Sequence, residues 1–284
     1  RDILEMFTIG VSLAVAAIPE GLPIVVAVTL AIGVIRMATR RAVVKKLPAV
    51  ETLGCVTVIC SDKTGTLTKN EMTAIKVVSS DGLVADVYGT GYSLEGGLCC
   101  IGGERIIGNS HPSLSRVIEI GCVCNNANLS NGTLLGQPTE GALLVLGMKA
   151  GLDGRRSAYR RIKEIPFTSD TKWMAVECEL KETPETRSEF FVKGALDQIL
   201  EKCVGYLQKG ENPARLDPAI KEKFLETARQ LGNTGLRIIA LACGPNEQEL
   251  YYAGLVGILD PPRQGVTESI EVVQSAGVKV KMVT

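Results

Sequence analysis

From Met6 to Ile35 the chain is mostly apolar and carries one formal charge, Glu20, held in the stretch AAIPEGLPIVV between Pro19 and Pro23. A helix needs roughly 20 apolar residues to cross a bilayer, so this pattern predicts a single membrane span that is interrupted near its middle. A cleavable secretory signal is the competing reading. The run is too long for that, has Asp2 and Glu5 ahead of it, and is followed by Arg36, Arg40, Arg41, Lys45 and Lys46. By the positive-inside rule those cations put everything after about residue 37 in the cytoplasm.

Downstream the apolar segments shorten to those of a mixed α/β protein. VTVICSD (56–62) reads as a buried strand ending on a carboxylate, and EFFVKGAL (189–196) and LRIIALAC (236–243) read as further strands. PAIKEKFLETARQLG (218–232) has helical spacing and a stop at Gly232, and GVTESIEVVQSAGVKVKMVT (265–284) reads as helix, Gly277 stop, then strand. The first residue lies next to a membrane helix and the last directly after a strand, so the chain is expected to be a piece of a longer protein, inactive in turnover alone. Charge balances at 31 basic against 31 acidic side chains, which gives no electrostatic argument for nucleic acid. Nine cysteines without framework spacing fit a reducing cytosol. With one histidine in the chain, Cys99, Cys100, Cys122 and Cys124 lack partners for a zinc site and read as small buried hydrophobes.

The chemistry follows the 56–62 strand. DKTGTLT (62–68) sets an aspartate at the end of a buried strand, ahead of a threonine- and glycine-rich turn, where open α/β sheets hold their ligands. A carboxylate there can attack a phosphoryl group, and turn amides with Mg2+ can offset the charge. Lys63 receives no catalytic role. The motif resembles the phosphorylation site of P-type cation-transporting ATPases. That resemblance implies that Asp62 is phosphorylated by ATP, that Thr64 helps hold Mg2+ and the phosphoryl group, and that the surrounding fold is haloacid-dehalogenase-like. Hydrolases of that superfamily commonly carry an acid/base aspartate two residues after the nucleophile. Here that position is Thr64, which fits a long-lived phosphoenzyme.

PTEGAL (138–143), PFTSDTKWMAV (166–176), KGA (193–195) and GLR (235–237) resemble segments of the family's nucleotide-binding domain. The resemblance implies that Phe167 stacks on adenine, Glu140 contacts its amino group, Lys172 and Lys193 line the pocket, and Arg237 approaches the phosphates. Taken singly, each has a bland reading as core or solvated charge. DPPR (260–263) resembles the hinge returning to the phosphorylation domain, with Asp260 and Arg263 as anchors, and Thr284 resembles the start of a phosphate-contacting loop.

PEGLP resembles the unwound fourth transmembrane helix of these pumps. Two prolines free carbonyls that need another partner inside the bilayer, and oxygen ligands suit a hard cation. The resemblance implies an ion site with the Glu20 carboxylate and the main-chain carbonyls of Val15, Ala16 and Ile18. The alternative is a proline kink with a snorkelling glutamate. The wider match is similar to the secretory-pathway Ca2+/Mn2+ ATPases of the Golgi. It implies an α/β chain with a transmembrane helix (1–37), a stalk (38–55), a partial phosphorylation domain (56–71 and 260–284) and an inserted α+β nucleotide-binding domain (72–259). ATP is then the substrate, Mg2+ the cofactor and Ca2+ or Mn2+ the cargo. The implied partners are membrane lipid and the remaining helices and actuator domain of the same pump. An endoplasmic-reticulum-type calcium pump, a soluble phosphatase, or an ATP-binding module without transport are the alternatives.

Overall fold

The computed structural model describes residues 2–284 apart from 18–20, 95–98, 102, 131, 183–187 and 210–211, and apart from the side chains of 99–101. In chain order it begins with α1 (Asp2–Ala17), α2 (Gly21–Thr39), α3 (Pro48–Gly54) and β1 (Val58–Asp62), followed by a π-type turn at Lys63–Leu67. Next come β2 (Thr73–Ser79), β3 (Val84–Val87), β4 (Cys99–Ile101), β5 (Glu104–Ile106), α4 (Pro112–Val123), β6 (Asn128–Ser130), β7 (Thr133–Leu135), α5 (Pro138–Lys149) and α6 (Arg155–Ala158). The remainder is β8 (Tyr159–Ile165), β9 (Trp173–Leu180), β10 (Glu189–Gly194), α7 (Leu196–Lys202), β11 (Cys203–Gln208), β12 (Asn212–Arg215), α8 (Pro218–Asn233), β13 (Arg237–Asn246), β14 (Glu249–Leu259), α9 (Val266–Ser275) and β15 (Lys279–Val283). Two compact units emerge, Arg1–Ser61 with Thr267–Val283, and Asp62–Val266 with Thr284.

In the first unit, Asp2–Thr39 is the one stretch among the described residues long and apolar enough to cross a membrane. Its side chains are not buried against protein, with Ile3, Leu4, Phe7 and Ile24 all exposed. Two of its hydroxyls are satisfied locally: Thr8 and Thr29 donate to the carbonyls of Leu4 and Val25, each at 2.8 Å, which suits a segment surrounded by hydrocarbon. Pro23 occupies the first turn of α2, where the missing amide costs no hydrogen bond. Val15 and Ala16 fall among the last four residues of α1, whose carbonyls have no partner inside the helix. Ile18 and Glu20 lie outside the described residues. In the same unit β1 pairs with β15, and the Lys279 amide donates to the Thr57 carbonyl.

The second unit is built on an 11-stranded sheet, whose main path runs β5-β4-β3-β2-β14-β13-β10-β9-β8. Strand β14 is shared: Leu255 opposes Val78 of β2, while Tyr252 opposes Tyr206 of β11, which also pairs with β12. Both faces of its centre are covered. Helices α4 and α5 bury Leu114, Ile118, Leu143 and Leu146 with Phe191 and Leu241 on one side. On the other side α7 and α8 bury Ile199, Leu200 and Phe224 with Val192 and Tyr252. That explains why FFV (190–192) in β10 is a continuous apolar run, since successive side chains enter opposite cores. Full burial of a side chain such as Phe191 contributes about 2–3 kcal/mol.

Helix α8 starts as its sequence predicts, with Asp217 capping the Ile220 amide at 2.8 Å and Pro218 in the first turn. It ends differently. Gly232 stays helical, the helix runs to Asn233, and Gly235 takes the left-handed conformation at φ 84°. Helices commonly end on a residue past the last turn with positive φ, and Gly235 is the glycine that takes it here.

Candidate functional site

Strand β1 delivers Asp62 to its last position, exposed, at the mouth of the π-type turn. Gly65 sits at φ 76° in that turn, a conformation open to glycine without Cβ strain. Thr64 is exposed beside it. The returning segment holds the turn from the other side. Arg263 donates through Nη2 to the Gly65 carbonyl at 2.8 Å and through Nε to the Thr68 carbonyl at 3.1 Å, while its amide reaches the Leu67 carbonyl. Thr68 donates to Asp260 Oδ2 at 2.6 Å and accepts from the Gly65 amide. The Lys69 amide meets the Pro261 carbonyl, and Thr68 forms a bridge with Pro262. The DPPR segment is thus pinned to the DKTGTLT segment by both anchors expected from sequence. Asp260 Oδ1 is buried without a hydrogen-bond partner among the described residues. Burial, together with the Glu71 and Asp260 carboxylates, raises the pKa of the nearby Tyr92 phenol. Thr284 follows β15, the strand paired with β1, and is exposed.

A pocket of about 360 Å³ opens at the ends of β8, β9, β10 and β13, and Glu140, Phe167, Lys193 and Arg237 all line it. Four residues spread between positions 140 and 237 therefore converge. Lys172 does not line the pocket; it is exposed at φ 58°, and its carbonyl accepts from the Ala195 amide. The β9–β10 pairing is tight at that point. A Cβ on Gly194 would lie 2.6 Å from the Lys172 carbonyl and 2.7 Å from Trp173 Cα. Phe167 is 47% exposed at the rim, as a stacking platform requires.

At the pocket floor Lys193 and Glu140 form a buried ion pair, Nζ to Oε1 at 2.6 Å. Lys193 also donates to the Cys124 carbonyl at the end of α4, and the Asn126 amide donates to Glu140 Oε1 at 3.2 Å. Asn125, fully buried, ties the same corner together through the carbonyls of Gly121 and Glu140. Sequence reasoning missed the polar rim. Asn126, Gln137, Thr139 and Glu164 also line the pocket. Asn126 donates to Glu164 Oε1 at 2.6 Å, and Arg161 binds Glu164 Oε2 at 2.8 Å as well as the carbonyls of Val123 and Asn125. The one local signal was the i,i+3 spacing of Arg161 and Glu164, which carries little meaning on a strand.

The family profile described as "P-type ATPase, cytoplasmic domain N" matches residues 113–265, just over half of the chain. The chain belongs to the P-type ATPase family. The matched span contains every residue lining that pocket, and Asp260 and Arg263 as well. Among relatives, "Calcium-transporting ATPase type 2C member 1" of Mus musculus is 54% identical over 285 residues, covering 100% of this chain and 31% of that protein. "Calcium-transporting ATPase type 2C member 2" of Homo sapiens is 52% identical, covering 100% and 30%. "Calcium-transporting ATPase 1" of Schizosaccharomyces pombe is 40% identical over 293 residues, covering 100% and 31%. The chain thus spans under a third of the length of these curated relatives.

This P-type ATPase chain holds a second cavity, of about 640 Å³, at the other ends of β9, β10 and β13. Arg116 is its hub, bonded to Glu119 at 2.9 Å, to Glu189 and to Cys243 Sγ, with its guanidinium over the Phe191 ring. Burial opposes the charge on Arg116, but Cys243, Glu189 and Glu119 outweigh it and hold its pKa above the ordinary value. For Glu189 burial prevails over the attraction of Arg116, and its carboxyl pKa is raised.

Proposed function

We propose that the chain is the central part of an ATP-driven Ca2+ pump, with Mn2+ as a second cargo, that works through an aspartyl phosphate on Asp62. The carrying observation is that Glu140, Phe167, Lys193 and Arg237 converge on one pocket in a chain that also presents Asp62 at the end of β1. The names of the relatives, all calcium-transporting ATPases, support the choice of cargo.

In this reading the adenine of ATP lies against Phe167, Lys193 attends the nucleotide from the pocket floor, and Arg237 faces the phosphates. An oxygen of Asp62 attacks the γ-phosphorus, the bond to the bridging oxygen breaks, and ADP leaves with the electron pair. Thr64 and Thr284 hold the transferred oxygens. Asp62 and Thr64 are exposed oxygen donors on one turn, a hard set that suits Mg2+; bound there, the ion offsets charge between carboxylate and phosphoryl group. Asp260 and Arg263 act as the hinge between a phosphorylation domain (56–71 and 260–284) and a nucleotide-binding domain (72–259). Residues 1–37 would span the membrane, with a stalk at 38–55. Glu20 and the carbonyls of Val15, Ala16 and Ile18 supply part of the ion site, and helices and an actuator domain of the full-length pump supply the rest. A Golgi or secretory-pathway membrane, with the domains cytoplasmic, is the proposed location.

Radiolabelled ATP and an acid quench test the reading in the full-length protein. The wild type should give a hydroxylamine-sensitive adduct that Asp62→Asn lacks. Equal labelling of both would sink the proposal.

A further inference from the structure

The second cavity, at about 640 Å³, is larger than the pocket of Glu140 and Lys193 and falls within the size range of small-molecule sites. The two openings lie at opposite ends of the same strands: Glu189 begins β10 in one, and Lys193 stands one residue from its end in the other. Leu180, Leu207, Pro245 and Tyr251 give the larger cavity apolar and aromatic walls. Among the described residues its charged lining is confined to Arg116, Glu119, Arg155 and Glu189.

Those four charges are unequally served. Glu119 has three donors: Arg116 at 2.9 Å from Oε2, the Tyr159 hydroxyl at 3.1 Å from Oε1, and Arg155 at 3.7 Å from the same oxygen. Glu189 has the same Arg116 guanidinium and the weak donor of the Cys243 thiol. Its neighbour Ser188 gives its hydroxyl to Glu177 instead. Arg155 keeps 42% of its side chain exposed, so water screens much of its charge. Two carboxylates therefore share one guanidinium, and the interior of the cavity is short of positive charge. The titrations agree. Burial holds the Glu189 carboxyl above its ordinary pKa against the attraction of Arg116. Burial opposes the charge on Arg116, yet Cys243, Glu189 and Glu119 outweigh it. Both shifts mark a place where added positive charge is stabilised.

A bare metal ion does not meet that need. Arg116 already stands between the two carboxylates, and no group of three His, Cys, Asp or Glu side chains among the described residues is placed to hold a metal. An organic ammonium does meet it. One of its N–H groups reaches the remaining lone pairs of Glu189, its hydrocarbon part packs on the leucine walls, and the tyrosine rings attract a cation. We infer that this cavity binds a small organic cation, an ammonium carried on an apolar or aromatic body, and that Glu189 is the residue that takes the ammonium.

Equilibrium dialysis of the full 284-residue chain, with the same neutral detergent on both sides of the membrane, tests this. The probes are radiolabelled tryptamine, its neutral alcohol analogue tryptophol, and the anion indole-3-acetate. They share one ring system and differ in the charge of the head group, tryptamine being protonated at neutral pH as a lysine amine is. The wild type should bind tryptamine saturably and more tightly than either analogue. Glu189→Gln should weaken tryptamine roughly tenfold, the loss of one charge-assisted hydrogen bond, and leave tryptophol unchanged. Arg155→Gln, at a half-exposed position, removes a competing cation and should tighten tryptamine about twofold to threefold. Glu179→Gln, which breaks the Arg160–Glu179 pair outside the cavity, should have no effect. A wild type that binds tryptophol or indole-3-acetate as tightly as tryptamine overturns the inference without any variant, and so does one that binds none of the three saturably at millimolar concentration. Unchanged tryptamine affinity in Glu189→Gln, weaker binding in Arg155→Gln, or an equal loss in Glu179→Gln overturns it as well.

Discussion

Lys193 on β10 and Glu140 on α5 meet at 2.6 Å, and both side chains are buried, so the two elements are joined by a charge pair that water hardly reaches. Removing one partner leaves the other charge buried and uncompensated, which costs about 3–5 kcal/mol. Lys193→Met and Glu140→Gln should each lower the denaturant midpoint strongly, and the double variant should lose much less than the sum of the two. Additive losses in that cycle would mean the pair is not coupled.

Arg263 makes three bonds to the 65–68 segment. Arg263→Ala should leave ATP affinity within about twofold, because the pocket lies on other strands, while slowing Asp62 labelling in the full-length protein roughly a hundredfold through a misplaced nucleophile. Rapid-quench labelling beside equilibrium nucleotide binding separates the two effects.

Gly194 has no room for a methyl group against the Lys172 carbonyl and Trp173. Gly194→Ala should cost about 1–3 kcal/mol by forcing β9 and β10 apart and should weaken nucleotide binding at the same time. A variant with unchanged melting and unchanged ATP affinity would refute the contact.

Burial pushes the thiols of Cys122, Cys124 and Cys243 up to about 12. All three stay protonated in the folded protein above the pH where an unfolded thiol ionises, near 8.5–9. The unfolded state then binds fewer protons, so stability is whole below about pH 8.5 and falls as pH rises toward 12. The slope is about 1 kcal/mol per pH unit for each thiol. Urea midpoints between pH 8 and 11 should trace that decline, and Cys124→Ala should flatten it.

Much of this fold could be read from the chain because its signals are local. The apolar run with its proline interruption, the strand entering DKTGTLT, and the helix, Gly277 and strand at the end all depend on neighbours within one element. Helix α8 ends at Asn233, one residue past the Gly232 stop that the sequence predicts, since composition alone does not say whether Gly232 or Gly235 takes positive φ. Four of the five residues expected at the candidate pocket line it, because each came inside a recognisable segment. Its rim was not: Asn126, Arg161 and Glu164 lie in unremarkable sequence, and only the fold of α4 against β8 joins them. The Arg116 hub is illegible for the same reason, its partners Glu119, Glu189 and Cys243 being assembled by three separate elements.

The Thr68–Pro262 bridge and the Lys69–Pro261 hydrogen bond make everything between those positions a closed loop, with its two ends side by side. Closing a flexible loop costs free energy that grows only with the logarithm of its length. The host segment around Asp62 is therefore nearly indifferent to how many residues the loop contains. Surface loops between Lys69 and Pro261 can lengthen or shorten over generations without disturbing the turn that follows Asp62. The two polypeptide crossings set a short, hydrogen-bonded neck, and selection on the 11-stranded sheet and selection on the turn can proceed almost independently.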